Sequence, residues 1–154
     1  MSGTIRILVD ADACTVKDEI YRVAGRHAAG VVIVSNSPLR APPLPFVQRV
    51  VVGDGFDAAD DWIAETADAA SIIVTADILL ADRCLKVGAR VVTYSGRPLT
   101  QSSIGNAVAV RAIMADLRAG GDRIGGPAPF TKSDRSAFLQ TLDRELVALR
   151  RATA

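Results

Sequence analysis

Short apolar runs alternate with helical patterns along most of this chain. The strand-like runs lie near residues 5–9, 31–35, 48–52, 71–75 and 89–94. The helical patterns lie near residues 16–28, 57–69, 78–87, 103–119 and 134–150. Because strands that alternate with helices usually form a parallel sheet covered by helices, joined by right-handed crossovers, we expect an α/β fold in three layers. The predicted sheet is mostly parallel, has about five strands and carries helices on both faces.

Two segments depart from this alternation. Residues 37–45 read SPLRAPPLP, and four prolines exclude a helix there, so we expect an extended surface loop. Residues 120–129 read GGDRIGGPAP and predict either a linker or a loop whose backbone N–H groups hold an anion. The final helical pattern has an apolar stripe that should pack back on the sheet, so residues 1–154 are expected to form one domain. The stripe consists of Phe138, Leu142, Leu146 and Leu149.

Two of the predicted strands end on acidic residues. Ile-Leu-Val at 7–9 leads into Asp10 and Asp12, and Ile-Ile-Val at 72–74 leads into Thr75 and Asp77. In an open α/β sheet, ligands bind at the carboxyl ends of the strands. Carboxylates gathered at that edge repel one another unless a cation lies among them, and Mg²⁺ and Mn²⁺ prefer oxygen ligands. The sequence therefore predicts a divalent metal site at this edge.

Further polar residues are expected near the same edge. Asp57 opens the helix after the third strand, and Asp60 and Asp61 follow in its first turns. Acids at these positions also serve as helix caps or complement the helix dipole, and that alternative stays open for all three. The predicted metal ligands are Asp10, Asp12, Asp57 and Asp77, with Asp10 and Asp77 as the catalytic pair. The predicted outer shell is Asn36, Asp60, Asp61 and Thr75.

Charge is unevenly distributed although the net charge is only +1. Residues 1–77 contain 6 basic and 11 acidic residues, whereas residues 78–154 contain 12 basic and 6 acidic ones. An acidic centre beside a basic region suits a substrate that carries phosphate, although chance distribution of surface charge would look the same. Lys17, Arg97 and Arg123 are the predicted phosphate contacts. The 5% aromatic content argues against binding of single-stranded nucleic acid by base stacking.

The remaining reactive residues give weaker signals. Cys14 and Cys84 make no disulfide framework, and no signal peptide or membrane-spanning run is visible, so a reduced cytoplasmic location is expected. Cys14 lies at an expected helix start, which could activate its thiol, but a small buried residue is the favoured interpretation. His27 is the one histidine and has no nearby acid in the sequence, which makes a serine-type triad a poor fit.

Two other classes, a phosphatase and a dinucleotide-binding domain, match the chain only in part. Val9-Asp10-Ala11-Asp12 resembles the nucleophile motif of haloacid dehalogenase-type phosphatases, but their acidic metal motif should come last in the chain. Here the matching acids, up to Asp57, precede Thr75. The spacing Gly53-x-Gly55-x-x-Ala58 matches a dinucleotide-binding fingerprint, but acids at 54 and 57 would face the pyrophosphate.

Five long stretches follow one another along the chain: VDADACTVKDEIYRVAGR, GDGFDAADDWIAE, IIVTADILLADRCLKVGARV, IGNAVAVRAIMADLRAGGDRIGGPAPF and SDRSAFLQTLDREL. In this order they resemble the YaiI/YqxD family of bacterial PIN-like proteins. Thr15 departs from the proline usual in that family. The resemblance implies a PIN-like three-layer domain that acts on RNA. Together with the predicted metal site, it gives the expected function, a phosphodiesterase or ribonuclease that depends on Mg²⁺ or Mn²⁺. Leu79 occupies the place where better-understood PIN nucleases have a second acid, so a non-catalytic RNA-binding or regulatory domain stays the alternative.

Overall fold

The computed structural model describes residues 4–53, 55, 57–119 and 130–153, and within them the chain forms six strands and five helices. The strands are β1 (Arg6–Asp10), β2 (Gly30–Ser35), β3 (Val47–Val51), β4 (Ser71–Val74), β5 (Arg90–Val92) and β6 (Pro98–Leu99). The helices are α1 (Lys17–His27), α2 (Ala58–Thr66), α3 (Ile78–Lys86), α4 (Gln101–Ala119) and α5 (Lys132–Thr153).

All strands belong to one sheet with the order β3-β2-β1-β4-β5-β6. The first five strands in this order pair in parallel, and the short β6 pairs antiparallel with β5. The two acid-tipped strands, β1 and β4, are therefore neighbours at the centre of the sheet. Val9 pairs with Val74, so the residues that follow them, Asp10 and Thr75, leave the sheet side by side at its carboxyl edge.

Helices cover both faces of the sheet and create two buried cores. Alternate residues of β1 point to opposite faces, so Ile7 and Val9 enter one core and Leu8 enters the other. The first core packs against α1 and α5, and it contains the whole apolar stripe of α5 from Phe138 to Leu149. The second core packs against α2, α3 and the beginning of α4. Both cores lie beneath the edge that carries Asp10 and Thr75.

Two connections shape this edge further. Residues 36–46 join the parallel strands β2 and β3 without a helix, as the four prolines predicted. The turn between β5 and β6 passes so close to α5 that a Cβ at Gly96 would overlap the backbone of Ala137 and Phe138. Gly96 also has a φ of 86°, which disfavours other residues, so this turn needs glycine for both reasons.

The predicted α/β architecture is confirmed, with differences in detail. The structure adds β6, which has two residues and is too short to produce a periodic signal. Helix α2 ends at Thr66 rather than near residue 69, because Ala67 is extended and closes the helix through its backbone N–H. The glycine-rich segment 120–129 lies outside the described residues. Among the described helices, none is long and apolar enough to cross a membrane.

Candidate functional site

Thr75 joins the acidic ends of β1 and β4 through its hydroxyl group. Its Oγ1 donates a hydrogen bond to Oδ2 of Asp10 at 2.8 Å and accepts one from the backbone N–H of Asp77 at 3.0 Å. Thr75 is completely buried and lies directly after β4, so its backbone is held by the sheet. The side chain therefore fixes one carboxylate of the predicted site and the start of the segment that carries another.

Asp10 lies in surroundings that disfavour its negative charge. Burial raises the pKa of its carboxyl above the ordinary value of 3.8, and the nearby charges of Asp77 and Asp12 raise it further. The hydrogen bond from Thr75 acts in the opposite direction and lowers it. The hydroxyl of Tyr94, from the turn after β5, donates to the backbone carbonyl of Asp10 at 2.6 Å. Tyr94 thus helps to position Asp10, a role that no pattern in the sequence indicates.

Asp77 is the N-cap of α3. Its Oδ1 accepts hydrogen bonds from the backbone N–H groups of Leu79 at 2.9 Å and Leu80 at 3.2 Å. This satisfies two of the N–H groups that a helix start leaves without partners. The capping function, open for any Asp that begins a helix, is therefore real here, and it also fixes the direction of the carboxylate beside Asp10.

Asp60 has the most strongly perturbed carboxyl group of this edge. Burial raises its pKa to about 6, and the charges of Asp77 and Asp10 contribute to the increase. Hydrogen bonding with Asp77 also favours the protonated form, and the charge of Asp57 adds a smaller effect. Asp60, predicted as an outer-shell residue, lies close enough to Asp77 and Asp10 for their charges to raise its pKa. The first turn of α2 is therefore part of the carboxylate cluster.

Asp57 and Asp61, the other acids around the start of α2, differ from each other. Asp57 precedes the helix with a φ of 64°, a region that non-glycine residues rarely adopt, and its side chain makes no capping hydrogen bond. Such strain is found most often where function requires it. Asp61 instead forms an ion pair with Arg83 of α3, with 2.9 Å between Oδ1 and the guanidinium. This pair ties α2 to α3 beside the cluster.

A first cleft of about 310 Å³ opens between β1, β2 and the start of α2. Asp12 is exposed here, and its Oδ2 accepts a hydrogen bond from the backbone N–H of Asn36 at 3.0 Å. The cleft thus brings together most of the acids that the sequence predicted. Its lining consists of Asp10, Asp12, Asn36, Gly55, Asp57, Ala59 and Asp60.

A second cleft of about 570 Å³ lies on the other side of Asp57 and Asp60. It also contains Asp77 and two arginines, Arg83 of α3 and Arg111 of α4. Sequence reasoning missed both arginines, because nothing in the local pattern of α4 indicates which of its residues approaches the start of α3. The structure therefore places the positive charge of Arg83 and Arg111 beside the acids.

The predicted phosphate contacts are only partly described. Lys17 lies at the start of α1, where its Nζ donates to the carbonyl of Cys14 at 3.4 Å. Arg97 lies in the turn between β5 and β6, at the same edge of the sheet, and its side chain is exposed. Arg123 lies outside the described residues. Neither Lys17 nor Arg97 is among the residues that line the two acidic clefts.

Cys14 follows the first acidic strand end, at the loop before α1. Burial raises the pKa of its thiol to about 11, with Asp10 and Glu19 adding to the increase. The backbone of Val16 and the charge of Lys17 act in the opposite direction without overcoming burial. The thiol is therefore protonated at neutral pH, and the interpretation of Cys14 as a small packing residue fits the structure better than a reactive thiolate.

The donor set of the edge is suited to a hard cation. Carboxylate and amide oxygens line the first cleft, and Mg²⁺ and Mn²⁺ bind such oxygens. As the side chains are placed, however, no three acidic, histidine or cysteine residues in the described ranges converge closely enough to form a metal-binding group. The chemistry of the residues thus fits a divalent ion, and binding would require the carboxylates to turn toward one point.

The fold and the acidic carboxyl edge of the sheet together define the class of protein. The protein is an α/β protein whose three-layer architecture is consistent with the PIN-like fold, with carboxylates clustered at the centre of the sheet edge. The model of the "Uncharacterized BCR, YaiI/YqxD family" matches residues 8–148. The chain belongs to the YaiI/YqxD family, as the sequence motifs predicted.

Curated relatives resemble the chain over almost its whole length. A "UPF0178 protein" of Sphingopyxis alaskensis is 66% identical over 149 residues, covering 96% of this chain and 97% of that protein. A "UPF0178 protein" of Nitrobacter winogradskyi is 54% identical over 150 residues, covering 97% and 96%. No solved structure matches the chain significantly. These relatives place the chain in a bacterial family, and their names carry no activity.

Proposed function

We propose that this protein is a divalent-metal-dependent phosphodiesterase of PIN-like type that cuts RNA in the bacterial cytoplasm. The observation that carries the proposal is the Thr75 bridge between Asp77 and Asp10. Asp60 lies close enough to both acids for their charges to raise its pKa. Three carboxyl groups from three different elements are held together although their charges repel. If this negative charge had no function, a neutral residue in place of one of the three acids would remove the repulsion.

The residues of this edge have distinct roles in the proposal. Asp10, Asp12, Asp57 and Asp77 would bind Mg²⁺ or Mn²⁺, which supplies a Lewis acid and lowers the pKa of water. Thr75 holds Asp10, and the N-terminus of α3 holds Asp77, so binding of the ion would require the exposed Asp12 and Asp57 to turn toward them. Asp60 lies in the same cleft as Asp77 and would be an outer-shell carboxyl group of the metal site. The buried sheet beneath these residues keeps them in place.

Cleavage of single-stranded RNA in the presence of Mn²⁺ is the direct test. Wild-type protein should cut a labelled RNA, and Asp10→Asn and Asp77→Asn should each abolish most of the cleavage. Asp116→Asn, which changes an exposed acid of α4 that lines neither cleft, is the matched control and should cut normally. Cys14→Ser should also remain largely active, because the thiol is protonated and the proposal gives it no chemical role.

A haloacid dehalogenase-type phosphatase would behave differently. There Asp10 would become phosphorylated, so beryllofluoride, which mimics an aspartyl phosphate, should inhibit hydrolysis of small phosphate esters. A metal-dependent nuclease forms no such covalent intermediate and should be indifferent to beryllofluoride. Inhibition of ester hydrolysis by beryllofluoride, without RNA cleavage, would replace the nuclease proposal.

A non-catalytic RNA-binding function is the second candidate. It is favoured by Leu79, an exposed apolar residue at the position where better-understood PIN nucleases have another acid. If the purified protein cuts neither RNA nor DNA with any divalent ion, and wild type still binds RNA, the binding function should be adopted. Asp10→Asn should then leave RNA binding unchanged.

A further inference from the structure

We propose that Arg111 binds a phosphate group of the RNA backbone next to the phosphate that is cleaved. This inference rests on the proposed function, because it assigns the second cleft to the same substrate. The two clefts meet at Asp57 and Asp60, which line both. An RNA strand whose cleaved phosphate lies at the carboxylates would therefore continue into the second cleft.

The packing of α4 explains how Arg111 reaches this cleft. Gln101, at the start of α4, donates from Nε2 to the carbonyl of Leu85 near the end of α3 at 2.9 Å. From there α4 runs back along α3, and Val108 packs against the core that contains Leu80. Arg111 comes one turn after Val108 and so lies near the N-terminal end of α3, beside Asp77. Its position is thus set by helix packing rather than by a flexible loop.

Among the described residues that line the second cleft, Arg111 is the cation better placed to meet an anionic ligand. The other cation, Arg83, already donates to Oδ1 of Asp61 at 2.9 Å. Arg111 is exposed, and its guanidinium can offer two parallel donors to a phosphate group. Leu79 is 44% exposed in the same cleft and provides an apolar wall, which strengthens charge interactions beside it by excluding water.

The geometry favours a neighbouring phosphate over the cleaved one. Asp57 and Asp60 lie where Arg111's cleft meets the first cleft, and Asp10 and Asp12 lie in the first cleft alone. Arg111 in the second cleft can therefore bind the RNA where it leaves the carboxylates, equally well in the ground state and in the transition state. Such uniform binding affects KM and leaves kcat nearly unchanged. A contact with the cleaved phosphate itself would lower kcat instead.

RNA binding measured without cleavage is the first test. A short fluorescein-labelled single-stranded RNA is titrated with protein in Ca²⁺, and fluorescence anisotropy gives Kd at salt concentrations from about 50 to 200 mM. Arg111→Ala should raise Kd at least about fivefold and reduce the slope of log Kd against log salt by about 1. Arg111→Lys should recover part of the affinity, because the charge remains without the paired donors.

Arg151→Ala is the matched control. Arg151 is an exposed arginine in the last turn of α5, at the opposite edge of the sheet, and its removal should leave Kd and the salt slope unchanged. Equal weakening by Arg111→Ala and Arg151→Ala would show a general charge effect and overturn the assignment. The assignment would also be overturned if Arg111→Ala had the same Kd and salt slope as wild type. Failure of wild-type protein to bind the RNA at low salt would overturn it as well.

Kinetics with Mn²⁺ separate this inference from the proposed function. Arg111→Ala should raise KM about as much as Kd and keep kcat close to the wild-type value. A fall in kcat with unchanged KM would overturn the assignment to a neighbouring phosphate. RNA binding that depends on Arg111 without any cleavage would contradict the proposed nuclease and leave the phosphate contact standing. Arg111→Gln provides a second neutral variant if the alanine variant is unstable.

Discussion

The hydroxyl of Thr75 donates a 2.8 Å hydrogen bond to the carboxylate of Asp10, across two adjacent parallel strands. The same hydroxyl accepts the backbone N–H of Asp77, so one buried atom connects the two acidic strand ends. Asp10 carries a raised pKa despite this bond, because burial and neighbouring acids outweigh it. The site therefore combines carboxyl groups held by hydrogen bonds with repulsion between their charges.

Thr75→Val should destabilise the protein although the two side chains have nearly the same shape. The substitution leaves the backbone N–H of Asp77 and Oδ2 of Asp10 without their partner, and losing such buried bonds costs about 1–3 kcal/mol. Urea denaturation should show a lower free energy of unfolding. Thr4→Val changes an exposed threonine and should have almost no effect. Equal stability of Thr75→Val and wild type would mean that the bridge contributes nothing.

Asp60→Asn should stabilise the protein at neutral pH when no divalent ion is present. The pKa of Asp60 is about 6 in the folded state against an ordinary value of 3.8. Folding therefore favours the protonated form, and ionisation destabilises the fold progressively as pH rises from 3.8 to about 6. Asparagine cannot ionise. The melting temperature of the variant minus that of wild type should grow across this range and stay constant at higher pH.

Asp116→Asn again provides the comparison, since an exposed acid that lines neither cleft should give a difference that does not follow this profile. A melting difference for Asp60→Asn that is independent of pH between 3.8 and about 6 would contradict the raised pKa.

Millimolar Mn²⁺ or Mg²⁺ should raise the melting temperature of wild-type protein. A ligand at a concentration of 100 Kd adds about 2.7 kcal/mol to the free energy of unfolding, which for a chain of this size corresponds to roughly 5–10 °C. Asp10→Asn should remove most of the increase by taking away a central carboxylate. Asp143→Asn, which changes an acid on α5 paired with Arg26, should retain it. A wild-type melting temperature that neither ion changes would count against the metal site.

Both cysteines should react slowly with thiol reagents in the folded protein. Burial raises the pKa of Cys14 and of Cys84 to about 11, so at about pH 8 only about one thiol in a thousand is ionised. Modification followed by absorbance should be slow without denaturant and fast in concentrated urea. Rapid labelling of one thiol in the native protein, lost in Cys14→Ser, would instead indicate an activated Cys14.

Much of the fold follows from local sequence patterns. Continuous apolar runs such as Ile72–Val74 predict buried strands, and an apolar repeat every three or four residues predicts helices, because each pattern reflects burial within one element. The acids at the strand ends are equally visible, so the carboxyl edge could be predicted as the place for chemistry. The family was also recognisable, since long motifs extend over most of the chain.

Which residues meet at the edge depended on contacts that local patterns do not encode. Thr75 and Asp10 are 65 residues apart, and Tyr94 and Asp10 are 84 apart. They meet because β1 and β4 are adjacent in the sheet and β5 follows β4. Asp60 and Asp77 likewise line the same cleft only because α2 and α3 cover the same face.

The sequence by itself determined the order of strands and helices, the acids at the strand ends and the apolar stripe of α5. Each of these is a property of neighbouring residues, fixed by the period of a strand or helix. The tertiary structure alone decided that Asp60 would have a raised pKa and that Arg111 would join the second cleft. The physical reason is that desolvation, charge repulsion and helix packing depend on distances in space, which the spacing of residues along the chain does not set.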